Sequence, residues 1–197
     1  MFMKDFSRAT TMISRIETVP ARVSTGLVAG TLVETAQGWQ PIETLRIGDC
    51  VQTFDGGLTR VLGLDQRRLH PEIETTLFMV PGGSHDACSN LFLLPGQHVL
   101  IDTLHDASVQ GAPFVLVPAA ALVGINGVYR HHAAADVSII TPMFAEEEVI
   151  YANSGVLLHC PSLLDGAGHF PENSFFSRLD VTSGRSFMAR RAALLAA

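Results

Sequence analysis

Cationic residues are scarce in this chain: 13 Lys and Arg stand against 19 Asp and Glu over 197 residues, a formal charge of -6. No Lys/Arg run could track phosphates, and Arg190-Arg191 is too small a cluster to do so, which argues against a nucleic-acid partner. Cysteine is equally sparse. Cys50, Cys88 and Cys160 show no C-x-x-C spacing, and an odd count this low excludes a disulfide framework, so buried or half-buried free thiols are expected. No apolar run reaches the ~18 residues of a membrane span. The opening MFMKDFSRATTMISRI has no continuous apolar stretch of the secretory type. The expectation is a soluble protein, cytoplasmic by default. Histidines His131-His132, His70, His85, His105 and His169 show no H-x-x-x-H spacing, so neither a metal site nor a cofactor is expected.

What is present is core material: 47% of residues are hydrophobic and only 16% charged, enough for one ordinary domain. From Gly26 onward, turn signals recur every 8–12 residues, the spacing of an all-β domain of short strands. Gly30–Thr35 alternates apolar and polar residues before the turn at Gln37-Gly38, and Pro41 opens a short helical turn through Leu45. Asp55-Gly56-Gly57 predicts a hairpin between Cys50–Phe54 and Thr59–Leu64. Further strands are predicted at Thr75–Val80, Phe114–Val117, Val128–His131, Val137–Thr141, Val149–Ala152 and Val156–Leu158. Asn90–Leu94 and His98–Asp102 read as a broken strand pair around Pro95-Gly96. Residues 1–25 are polar and weakly patterned and read as a leader or an edge segment rather than part of the core. Beyond Cys160 the chain is loop-like, and a helix is predicted from Ser183-Gly184 through Phe187, Met188, Ala192 and Leu195.

Four stretches carry a family resemblance. GTLVET followed by PIETLRIGDCV, LPGQHVLI around His98, the FVLVPA segment at Phe114–Ala119, and VIYANSGVLLHC ending at Cys160 occur in that order. Together they resemble the Hedgehog/intein (Hint) family of self-processing domains, bacterial members included, over roughly residues 26–160. The resemblance implies an all-β, horseshoe-like fold of many short, strongly bent strands, here followed by residues 161–197 as a loop and short helix. It also makes residues 1–25 comparable to the segment such a domain would release.

The same resemblance implies chemistry. An active member places a cysteine four residues before the glycine of the Gly-Thr pair; its thiol attacks the preceding carbonyl while a histidine protonates the departing amide nitrogen. His98 matches that histidine and His159 the penultimate histidine of inteins, with Thr141 in a strand that often carries another acid/base group. Here Gly26 stands at the nucleophile position, Cys160 follows His159 where an Asn would be needed for cyclisation, and Pro95 replaces a helpful hydroxyl three residues before His98. His98, His159 and Thr141 are therefore expected as vestigial site positions. The expected role is a domain inactive for self-cleavage or splicing, kept as a structural or binding module for an unknown protein or small-molecule ligand. The alternative is atypical autoprocessing with Thr25 or Ser24 as nucleophile and His98 as acid/base, although a one-residue offset turns a strand side chain to the opposite face.

Overall fold

The structure, a computed structural model, describes residues 25–71, 76–104, 112–165 and 174–195. The alternating segments form short strands because β-branched and large apolar residues every second position face a common core. In chain order these are β1 (Leu27–Val28), β2 (Leu32–Thr35), β3 (Gly38–Pro41), β4 (Cys50–Thr53), β5 (Gly57–Arg60), β6 (Gly63–Leu69) and β7 (Thr76–Val80). They continue with β8 (Leu91–Leu93), β9 (His98–Asp102), β10 (Phe114–Pro118), β11 (Tyr129–His132), β12 (Val137–Met143), β13 (Glu148–Ala152) and β14 (Val156–Cys160). Single 3-10 turns at Ile42–Thr44 and Ala119–Ala121 follow Pro41 and Pro118, and one α-helix, α1 (Val181–Leu195), closes the chain.

Two antiparallel sheets result. One runs β11-β7-β8-β1-β12-β6, the other β10-β9-β14-β13-β2-β4-β5 with β3 added on β2. Val33, Ile42, Val51, Ile150, Leu158 and Phe144 are fully buried in the main core. Among the described residues the fold is all-β with one C-terminal helix, as the residue pattern implies. No described helix is long and apolar enough to cross a membrane.

Three local expectations are corrected. Leu91–Leu93 and His98–Asp102 do not pair with each other. β8 joins β1 and β7, β9 joins β10 and β14, and the turn at Pro95-Gly96 carries the chain from one sheet to the other. The run Thr59–Leu64 is two strands, because Val61 turns fully inward and its amide bonds the Asp49 carbonyl before β6 begins at Gly63. Cys88 is exposed rather than buried: its backbone amide is held by the Asn153 carbonyl at 2.9 Å in a turn-rich segment outside the core. Ser24, His105 and His169 lie outside the described residues.

The C-terminal segment returns to the domain. The Leu116 amide donates to Ser177 O at 2.8 Å and the Leu179 amide to Leu116 O at 3.0 Å, which covers the edge of β10. Asp180 caps α1, accepting from the Ser183 amide at 2.8 Å and so satisfying one of the helix's unpaired N–H groups. The helix begins two residues earlier than its periodicity predicts. Gly184 explains how closely it docks: a Cβ there would sit 3.1 Å from Ala121 and 3.2 Å from Val117. Phe187 and Met188 are then buried in the main core.

Candidate functional site

Strand β1 places Leu27 opposite Ile140 of β12 and Leu93 of β8, so Gly26 sits at the strand's entrance against β12. Its backbone has φ +118°, a conformation open to glycine and strained for other residues. An added Cβ would lie 2.5 Å from Ile139 Cγ2 and 2.6 Å from Thr141 Oγ1. The position thus excludes a side chain twice, by backbone conformation and by space.

The Gly26 amide does not go unmatched. It donates to Gln97 Oε1 at 2.9 Å, and Gln97 Nε2 in turn donates to the His159 carbonyl at 2.8 Å. Gln97 is buried, so this bridge ties β1 to β14 across the interior and satisfies polar groups that water cannot reach. The structure therefore gathers Gly26, Thr141, the residue before His98, and the His159 backbone.

The two histidines differ in environment. His98 is half-buried and its pKa is pushed down to about 4, first by burial, then by the Arg178 charge and by His159, against a hydrogen bond to the Gly96 backbone. It is neutral near pH 7. His159 is buried, and burial likewise lowers its pKa against the carboxylate of Glu147 beside it. With a proton on Nε2, His159 donates to Glu147 Oε2 at 3.0 Å. Arg178 Nη2 lies 3.1 Å from the same nitrogen and donates to Glu147 Oε2 at 2.7 Å.

Glu147 is the hub. It also accepts from Ser174 Oγ at 2.7 Å and from the Phe175 amide. Burial alone would raise its pKa, but the hydrogen bonds from His159, Ser174 and Phe175 outweigh it and hold it at about 2. The result is a half-buried Glu147–Arg178 ion pair beside a neutral histidine. Ser174 and Arg178 come from the C-terminal segment, and Glu147 from the acidic run before β13.

The His159-Cys160 pair forms no thiol/base couple. Cys160 is fully buried, and burial, then the charge of Glu148, push its thiol far above the usual range. Of the residues singled out from sequence, Gly26, Thr141, His98 and His159 converge. Gln97, Glu147, Ser174 and Arg178 were not singled out. Gln97 carried a faint signal, as the neighbour of His98; Arg178 carried none, because only the folded chain brings it back.

A family model described as a Hint domain matches residues 25–167. Among solved structures, the chain is similar to the AceL NrdHF class 3 split intein in a GSH-linked, splice-inactive variant, at 12% identity and a TM-score of 0.48, covering 70% of this chain and 98% of that one. It is also similar to the bacterial intein-like domain from Clostridium thermocellum, at 19% identity and a TM-score of 0.39, covering 68% and 98%. A third is the gp41-1 intein, at 12% identity and a TM-score of 0.41, covering 71% and 100%. No curated protein matches the chain.

Proposed function

The chain belongs to the Hint-domain family, and from that premise we propose that it has lost self-cleavage and serves as a structural or binding module. The observation that carries this reading is Gly26. The position that would hold the nucleophile has φ +118° and no room for a Cβ. Covalent catalysis needs a nucleophilic side chain within reach of the carbonyl, and glycine has none. The amide that would be the leaving group is instead a donor in the Gln97 bridge to β14.

Two further features support the reading. Cys160, with its thiol protonated and fully buried, is no substitute nucleophile. His159 spends its Nε2 proton on Glu147, inside a salt-bridged cluster, where it orders structure rather than serving a reacting group.

Mass spectrometry tests the proposal. After prolonged incubation with a thiol such as dithiothreitol, the chain is expected at its single full mass, 21.2 kDa. Fragments ending at Thr25 or near Cys160 would overturn it. Should they form, His98→Ala tests the rival scheme with Thr25 or Ser24 as nucleophile: loss of cleavage supports that scheme, unchanged cleavage removes His98 from it.

A further inference from the structure

Residues of β9, β14 and α1 line a half-open cavity of about 210 Å³. None of Gly26, Gln97, His98, Thr141 or His159 lines it. Its floor is apolar, with Ile101, Leu157 and Met188, and its rim carries His85, Asp86, Asp102, Asn126 and Arg191.

Backbone strain converges on this rim. Among the described residues, five non-glycine residues have positive φ: His85 (49°), Asp86 (62°), Asn126 (48°), Asn153 (43°) and Ser154 (82°). Three of them line the cavity, and the other two lead directly into Gly155, which lines it too. Each such residue costs on the order of 1–3 kcal/mol, a strain that persists only where surrounding contacts impose it. Those contacts are visible. Ala87 bridges to Ser154, a Cβ on Gly155 would lie 2.8 Å from Asp86, and the Asn153 side chain accepts from the Leu32 amide at 2.9 Å. The rim is rigid before any ligand arrives, which lowers the ordering cost of binding.

Charge selects the ligand. Arg191 is neutralised by Asp102, donating through Nη1 at 2.9 Å to Oδ1 and through Nη2 to Oδ2. Asp86 makes no ion pair among the described residues and leaves the rim with one net negative charge. Burial lowers the His85 pKa, so that ring adds no positive charge near neutral pH. Nε2 of His85 is buried with no hydrogen-bond partner among the described residues. At about 30 Å³ per water, the space equals roughly seven waters, the bulk of a molecule of about ten heavy atoms.

We propose that this cavity binds a small organic monocation, an amine whose ammonium group meets Asp86 at the rim and whose apolar body lies on Ile101, Leu157 and Met188. The inference gives the binding-module reading a ligand class and rests on it only in that respect.

The test uses the full chain and three probes with similar bodies: 2-phenylethylamine, neutral 2-phenylethanol and anionic 3-phenylpropionate. The amine is expected to shift the backbone amide resonances of Asp86, Asn126 and Gly155 saturably, at least tenfold more tightly than the other two. Asp86→Asn, which keeps a residue tolerant of positive φ, should weaken the amine about tenfold and leave the alcohol unchanged. Ala192→Phe, which fills the cavity from α1, should abolish all three. Equal binding of the three probes, no saturable shift, or shifts centred on Gln97 and His98 would overturn the proposal. Intact mass recorded on the same samples keeps this outcome separate from any self-cleavage.

Discussion

At the scale of single residues, Gly26 leaves no room for a side chain. A cysteine there would carry its Cβ into Ile139, whose β-branched side chain has little rotamer freedom, and into Thr141 Oγ1. Strain at φ +118° adds to the overlap. Gly26→Cys is therefore expected to lose about 2–4 kcal/mol in urea unfolding and to stay uncleaved in thiol; a stable variant that cleaves would show that this pocket can open. The histidines set a second residue-scale expectation. His98 is held at about 4 and His159 is lowered by burial, against 6.5 for each when unfolded. Between these values the unfolded chain binds protons that the folded chain refuses, so stability must fall as pH drops from about 6.5 toward 4. Unfolding at pH 7, 5.5 and 4.5 checks the sign, and His98→Gln should flatten the slope. Glu147, held at about 2 against 4.5, contributes stability that is full above about 4.5 and is lost only as pH falls below that.

At the scale of elements, the Glu147–Arg178 pair joins three pieces: the approach to β13, strand β14 through His159, and the segment leading into α1. Removing one partner leaves the other half-buried and uncompensated, which costs about 1–3 kcal/mol. Glu147→Gln and Arg178→Met should each be destabilising by roughly that amount, and the double variant should lose clearly less than their sum. Additive losses in the cycle would show that the two groups do not depend on each other. The strands themselves were legible before any coordinates, because alternation at Leu32–Thr35 or Val137–Thr141 and turns at Asp55-Gly56-Gly57 are local properties. Pairing across sheets was not legible: nothing local to Leu91–Leu93 says that its neighbours are β1 and β7 rather than β9. Arg178 was illegible for the same reason. It reaches Glu147 across 31 positions of sequence, and no spacing rule encodes such a return.

At the scale of the whole molecule, the family model stops at residue 167, yet the residues beyond it are built into the same core. Phe187 and Met188 are buried with Val117, Ala121 and Leu122, and Phe176 packs with Leu100, Leu116 and Val149. Backbone bonds from Leu116 to Ser177 and from Leu179 back to Leu116 make the segment a short extension of the sheet edge. A part held by core packing, backbone bonds and a half-buried ion pair should unfold with the rest rather than before it. The single tryptophan, Trp39, lies in β3, while the α-helical signal of the described residues comes from α1 alone. Trp39 fluorescence and far-ultraviolet circular dichroism therefore report from separate parts of the fold. Their urea transitions are expected to coincide. Phe187→Ala, which empties a fully buried aromatic site on α1, should move both together by about 3–5 kcal/mol. A helical signal lost at lower urea than the tryptophan signal would instead make the C-terminal segment a separately stable attachment, and the cavity beneath α1 would then open and close with it.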